Sequence, residues 1–227
     1  MTTTLDIIIP TLNAGRTLSQ TLAALPSPPG IPISTTVCDG GSEDDTVSLA
    51  RNAGARIVTA PPGRGGQLGV GAATGDAAWL LFLHADTRLD PGAGAVVANF
   101  ISSPANHDKA GYFRLRFDTA DPRARRVERL AAWRCRTFGL PYGDQGLLIA
   151  RPFYKRLGGF RPMPLMEDVD LVRRIGRRNL VALDADAVTS AARYERDGWL
   201  ARPLRNLGCL ALYFAGVSPD FLRRLYG

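Results

Sequence analysis

Ala77-Ala78-Trp79-Leu80-Leu81-Phe82-Leu83-His84-Ala85-Asp86-Thr87 is an unbroken apolar run that stops abruptly at a histidine and an aspartate. A run of that length, closed by polar residues, reads as a strand buried on both faces. Leu5–Pro10, Ile33–Cys38 and Ala55–Thr59 supply three further strands upstream. Between the first two lies a stretch with Leu18, Leu22 and Leu25 at helical spacing. Ser42 through Asp45 reads as a cap and acidic first turn of a helix running to Asn52. Strands separated by such helices predict an α/β fold with a mainly parallel central sheet, right-handed crossovers and helices on both faces. Ligands of such sheets collect at the carboxyl ends of the strands. Asp39 and Asp86 both fall at such ends, so the pattern predicts that they face one crevice.

Downstream the pattern is more mixed. Ala110–Phe117 alternates like a half-buried strand, and Asp121-Pro122 opens a helix running to about Arg136. Gly146–Ala150 reads as a short strand, Glu167–Arg178 as a helix with Leu171, Val172 and Ile175 inward, and Leu180–Val188 as a strand. Leu200, Leu204, Leu207, Ala211 and Phe214 form one helical stripe, expected to be core or a homodimer surface, with peripheral membrane contact as the alternative. No linker or repeat interrupts the chain. Residues 1–227 are expected to be a single domain.

Composition bounds the function. Apolar residues are 45% and charged residues 22% of the 227, which fits a core-forming chain and excludes a disordered or collagen-like one. The net charge of +7 is uneven: residues 1–100 hold five arginines against eight acids (−3), and residues 101–227 hold 23 basic residues against 13 acids (+10). Phosphorylated ligands suit a basic half, but zinc-finger spacing, RNP-like aromatics and a basic tail are missing, so no nucleic-acid partner is expected. Arg125, Arg129 and Arg136 share one face of the 121–136 helix, either as a solvated stripe or as a contact for a phosphorylated or lipid-linked acceptor. Cys38, Cys135 and Cys209 match neither a disulfide framework nor a zinc site and read as buried thiols in a reducing compartment. The N-terminus has no basic stretch before its apolar run, and the longest uncharged segment, 206–219, is shorter than the roughly 20 residues a bilayer needs. A cytoplasmic protein, or one peripheral to the inner face of the membrane, is expected.

Three clusters carry chemistry. Pro10-Thr11-Leu12-Asn13 and Asp39-Gly40-Gly41-Ser42 follow the first two strands, where a carboxylate can accept bonds from a nucleobase or ribose and glycines let a ligand approach the backbone. The same four residues also read as a turn. His84-Ala85-Asp86-Thr87 puts a carboxylate beside an apolar strand, which needs a cation or donor to offset its burial. One carboxylate plus diphosphate oxygens is a common way of holding Mg²⁺ or Mn²⁺, and a cap or turn is the plain alternative. Glu167-Asp168-Val169-Asp170 opens a helix, where the dipole lowers carboxyl pKa values, so a catalytic base here needs partial burial or a nearby acceptor hydroxyl. Asp170 reads as an ion-pair partner of Arg173 or Arg174. The glycine-rich Gly63–Gly71 lacks the Lys-Ser/Thr of a P-loop and the third glycine of the Rossmann fingerprint. What remains is a flexible loop carrying Arg64, suited to a diphosphate, that enters a small-residue helix.

In this order the chain resembles a family 2 glycosyltransferase: Ile7-Ile8-Ile9-Pro10-Thr11-Leu12-Asn13, Asp39-Gly40-Gly41-Ser42, Arg64 in its glycine-rich loop, His84-Ala85-Asp86-Thr87 and Glu167-Asp168. With Gly143-Asp144-Gln145-Gly146 added, it is most similar to a bacterial subgroup described as radical-SAM/selenodomain-associated or arsenosugar-biosynthesis glycosyltransferases. The resemblance spans nearly the whole chain and implies a nucleotide-binding half to about residue 100 and an acceptor and catalytic half beyond it. It implies the GT-A fold, a nucleotide-diphosphate sugar as donor, an inverting reaction and a divalent metal, Mn²⁺ or Mg²⁺. It implies that Pro10, Thr11 and Asn13 line the nucleotide site, that Asp39 binds base or ribose, and that Arg64 reaches the base or diphosphate. Asp86 would be the metal carboxylate, Asp168 the base that deprotonates the acceptor, and Glu167 its support. Asp144, Gln145 and Arg193 fall where acceptor or diphosphate contacts occur. One departure stands out: His84 occupies the place of the first acid of the Asp-x-Asp pattern, which leaves a single carboxylate for the metal.

Two other readings compete. A sugar-1-phosphate nucleotidyltransferase also joins a nucleotide crevice to acidic metal ligands, but it needs a strongly basic loop near the first strand, and Pro10–Arg16 has one arginine. A catalytically inactive nucleotide-sugar-binding domain would not need the retained Glu167-Asp168.

Overall fold

The structure, a computed structural model, describes residues 3–226. Its first part alternates β1 (Leu5–Thr11), α1 (Gly15–Ala23), β2 (Ile33–Asp39), α2 (Thr46–Asn52), β3 (Arg56–Thr59), α3 (Arg64–Thr74) and β4 (Trp79–Phe82). Then come β5 (Thr87–Leu89), α4 (Ala93–Ser102), β6 (Ala110–Phe117), α5 (Pro122–Phe138), β7 (Leu147–Ala150) and α6 (Arg151–Arg156). The chain ends with α7 (Glu167–Ile175), β8 (Leu180–Thr189), α8 (Ala192–Asp197), α9 (Ala201–Phe214) and α10 (Pro219–Tyr226).

The strands form one sheet in the order β3-β2-β1-β4-β7-β6-β8-β5. The β3-β2-β1-β4 side is parallel throughout, as the alternation of strands and helices requires. Beyond β4 the sheet is mixed: β7 runs antiparallel to both β4 and β6, β8 returns parallel to β6, and β5 closes the edge antiparallel to β8. Leu5, Ile7, Ile8 and Ile9 of β1, Leu80 and Leu81 of β4, and Leu148 and Ile149 of β7 are fully buried, so the core is centred on these three strands. One charged group enters it. Asp6 pairs with Arg151, and the same guanidinium donates to the carbonyls of Ala72 and Ala77. With three acceptors, the buried cation is satisfied rather than stranded.

Local chemistry sets the helix ends. Asp121 accepts from the Arg123 amide at 2.8 Å with Pro122 in the first turn, and Gly139 in the left-handed region closes α5. α7 stops at Ile175 rather than at the expected Arg178, because Gly176 takes φ 79° and residues 177–179 form a 3₁₀ turn. Ser42 through Asp45 precede the helix instead of forming its first turn. Ser42 donates to Asp39, and Asp44 accepts from the Thr46 and Gly15 amides. The glycine-rich segment is a helix from Arg64 onward, not a flexible loop. Gly71 faces β1 and β2, where a Cβ would lie 2.5 Å from both Cys38 Sγ and Ile8 Cγ2. Gly71 therefore serves close helix–sheet packing.

The C-terminal stripe is not core. Leu200 is 80%, Leu204 66% and Leu207 60% exposed, while Arg202, Cys209 and Leu210 are buried in α9 instead. All three cysteines are free and buried. Among the described residues no helix is long and apolar enough to cross a membrane.

Candidate active site

β1 and β2 pair with Thr11 opposite Asp39. That register lets the Thr11 hydroxyl donate to Asp39 Oδ1 at 2.9 Å, and the Ser42 hydroxyl donates to the same oxygen at 2.5 Å. Asp39 Oδ2 accepts from the amides of Gly41 and Ser42 at 2.9 and 2.8 Å. Burial pushes the Asp39 carboxyl up, but the bonds from Ser42, Thr11 and Gly41 outweigh it and hold the pKa below the ordinary value. Asn13, at φ 50°, donates its amide to Ser42 Oγ and accepts from the Glu43 amide. Gln67 of α3 donates to the carbonyls of Thr11 and Cys38, both at 2.7 Å. Pro10, Thr11, Asn13 and Asp39 thus form a tied frame at the carboxyl ends of β1 and β2, with all four acceptor positions of Asp39 filled from within the chain.

A second group gathers around a cavity lined by Arg64, His84, Asp86, Asp144, Asp168 and Arg193, among others. β4 ends at Phe82, so His84 and Asp86 project from the turn into β5. Asp168 sits in the first turn of α7, after Met166, whose φ of 68° bends the chain sharply into that helix. Its Oδ2 accepts from the Gly143 amide at 2.8 Å, which fixes the carboxylate against the 143–145 turn. The N-termini of α3 and α7 meet through Arg64, whose Nε lies 2.8 Å from Glu167 Oε1. Gly65 makes this contact close, because a Cβ there would collide with the Arg161 carbonyl.

The electrostatics separate these groups. Glu167 is 1% exposed and its Oε2 has no hydrogen-bond partner. Burial pushes its pKa up to about 7, Arg64 opposing and Asp168 adding to the rise. The expectation that the helix dipole keeps this acid low is therefore corrected, since desolvation wins. Burial and the Arg64 charge push His84 down to about 4, against Asp86 and Asp168, so it is a neutral imidazole at pH 7. Asp144 is pushed up to about 6 by burial, with Arg134 opposing and Asp168 and Asp86 reinforcing. Its Oδ1 is buried with no hydrogen-bond partner.

Among the described residues, no cluster of three or more His, Cys, Asp or Glu side chains is arranged to hold a metal ion. Asp86 and the neutral His84 nitrogen line one cavity, so a divalent cation there would draw most of its ligands from substrate phosphates and water.

The cavity brings Arg64, Asp86, Asp144, Asp168 and Arg193 together, whereas Pro10, Thr11, Asn13 and Asp39 form their own frame and Asp39 does not line the cavity that holds Asp86. Gln145 is placed elsewhere: it is buried, donates to the Phe113 carbonyl, and accepts from Arg134 and the Tyr142 amide. Arg125, on the expected basic face, is engaged with Glu128 and the Thr119 carbonyl. Asp170 pairs with Arg174 and also with Arg161. Tyr142, Tyr194, Arg202 and Asn206 line the cavity without having been singled out by any motif. Tyr142 is held under the Arg134 guanidinium, 3.4 Å from ring centroid to carbon, a contact that no spacing rule announces.

Solved structures with this arrangement of sheet and helices define the class. Glucosyl-3-phosphoglycerate synthase from Mycobacterium tuberculosis, determined with Mn²⁺, uridine diphosphate and glucosyl-3-phosphoglycerate, superposes with a TM-score of 0.60 at 20% identity, over 83% of this chain and 70% of that one. TarS from S. aureus superposes with a TM-score of 0.57 at 16% identity, over 82% of this chain and 35% of that one. Its 1–349 fragment gives 0.59 at 14% identity, over 98% of this chain and 69% of the fragment. The fold is that of the GT-A glycosyltransferases. The sequence profile described as "Glycosyl transferase family 2" matches residues 6–158, two thirds of the chain, so the protein belongs to that family and is a glycosyltransferase. No curated protein is a significant match by sequence.

Proposed function

We propose that this enzyme transfers a sugar from a nucleoside diphosphate donor to an acceptor hydroxyl with inversion at the anomeric carbon. The observation that carries the reading is the placement of Asp168, fixed by the Gly143 amide, in the same cavity as Asp86, Asp144, Arg64 and Arg193. The synthase that shares the fold was solved with Mn²⁺ and UDP-glucose, which supports a donor of that class here.

In this reading one domain works in two halves. The frame of Pro10, Thr11, Asn13 and Asp39 takes the nucleoside, with ribose or base replacing the Ser42 hydroxyl on Asp39. Arg64 faces the diphosphate while staying paired with Glu167. Asp168 takes the proton of the acceptor hydroxyl, whose oxygen bonds to the anomeric carbon as the bond to the diphosphate oxygen breaks. The electron pair leaves with the nucleoside diphosphate, and Arg64 and Arg193 meet that charge. Asp86, with His84 lining the same cavity, would hold a divalent cation jointly with the donor phosphates. Such a cation supplies Lewis-acid stabilisation of the leaving group. The Gly143-Asp144-Gln145-Gly146 turn supports placing the chain in the radical-SAM-associated subgroup, and the free buried thiols support a cytoplasmic setting.

The test is a thermal-shift panel of UDP, GDP, dTDP, CDP and ADP, with and without Mn²⁺ or Mg²⁺. A nucleotide at about 100 times its Kd adds roughly 2.7 kcal/mol, or about 5–11 °C for a chain of this size. One nucleotide giving a metal-dependent shift is the expected result, and no shift with any of them overturns the donor assignment.

A further inference from the structure

Beside the catalytic cavity lies a larger one. It occupies about 630 Å³ between α5 and α9, within the range of small-molecule sites, and its walls are predominantly apolar. Leu130, Trp133 and Phe138 of α5 face Leu207, Ala211 and Phe214 of α9 across it. Leu130 and Trp133 are 60% and 52% exposed, values that large apolar side chains rarely show together on one surface.

Two features say what fills this groove. It borders the catalytic cavity, since Tyr142, Asp144, Tyr194 and Asn206 line both. At that junction the Oδ1 atoms of Asp144 and Asn206 are buried acceptors without a hydrogen-bond partner among the described residues. A ligand seated across the junction would place a hydroxyl donor at these oxygens and an apolar body in the groove.

We infer that the acceptor is an amphiphile: a hydroxyl-bearing head that enters the catalytic cavity, continued by a single apolar chain lying between α5 and α9. This rests on the glycosyl-transfer reading above and names its acceptor class. Chain burial supplies affinity, and the polar junction sets how far the head reaches toward Asp168.

The test uses 12-bromo-1-dodecanol, whose terminal bromine quenches tryptophan fluorescence, against 3-bromo-1-propanol, which has the same head without the chain. Trp79 and Trp199 are buried, so contact quenching reports Trp133. Saturable quenching of the full chain at concentrations at least about 100-fold lower for the long alcohol is expected, given the gain per buried methylene. Trp133→Phe removes the signal. Leu130→Glu/Leu207→Glu, which alters two exposed positions and none of the catalytic groups, weakens binding at least 10-fold while the nucleotide thermal shift stays intact. The inference is overturned by quenching that does not saturate, that appears only above the micelle concentration, or that ignores the double variant. It is equally overturned if light scattering shows a dimer that the double variant dissociates, because a second copy then covers the groove. A lost nucleotide shift with quenching retained would instead sink the donor reading and leave the groove standing.

Discussion

Glu167→Gln should stabilise this protein, and increasingly so as the pH rises. The parent carboxyl is 1% exposed, one oxygen has no partner, and burial pushes its pKa from 4.5 up to about 7 despite Arg64. The folded chain thus holds this proton more tightly than the unfolded chain does. The contribution of this carboxyl to stability is greatest below pH 4.5, declines as the pH climbs toward 7, and stays at the lower level above that. A rise of about 2.5 units corresponds to roughly 3 kcal/mol at 1.36 kcal/mol per unit. Glutamine copies the protonated form and leaves Arg64, which is 37% exposed, to water. Taking variant minus parent cancels the other titrating groups to first order. Urea unfolding should show that difference larger at pH 8 than at pH 5 by roughly 2–3 kcal/mol, and melting should show about 5–10 °C. A difference that is flat with pH, or that shrinks as pH rises, would refute the claim that burial outweighs the Arg64 pairing.

Asp168→Asn should lower kcat by about 10²- to 10⁴-fold, the usual contribution of a general base, with the nucleotide thermal shift retained; loss of both together would make Asp168 structural. Gly71→Ala forces a Cβ to 2.5 Å from Cys38 and Ile8, so calorimetry should show a loss of about 1–3 kcal/mol. Arg151→Ala leaves Asp6 buried without its cation, and denaturant titration should register about 3–5 kcal/mol. His84→Asp adds a second carboxylate beside Asp86, and the Mn²⁺ concentration giving half the nucleotide shift should fall.

The parallel half of the sheet was legible because β1 and β4 are buried apolar runs, β2 is buried toward its carboxyl end, and β1 and β2 end at marked turns. β5 was not: three residues closing an edge carry no periodicity, and their pairing with β8 spans about a hundred residues. The glycine-rich start of α3 read as loop, and the reason for Gly71, contact with Ile8 and Cys38, lies in tertiary packing. Arg64, Asp86, Asp144, Asp168 and Arg193 line one cavity, whereas Gln145 turns inward to bond the backbone of β6. Tyr142 and Asn206 were invisible for a plainer reason, since their function depends on which cavity a helix or turn happens to border. The dipole argument for Glu167 failed on desolvation, which a sequence does not display.

The bridge from Asp6 to Arg151 has a consequence for how the enzyme can be divided. The nucleotide frame lies within the first hundred residues, which invites cutting the chain there to obtain a small binding module. Such a fragment would keep Asp6 in the middle of its most apolar strand and discard the cation that neutralises it, along with β7, the neighbour that covers β4. Neither half carries a complete core. The frame around Asp39 and the cavity around Asp168 are therefore tied through one core, and a rearrangement that respects the fold keeps residues 6 and 151 in the same molecule.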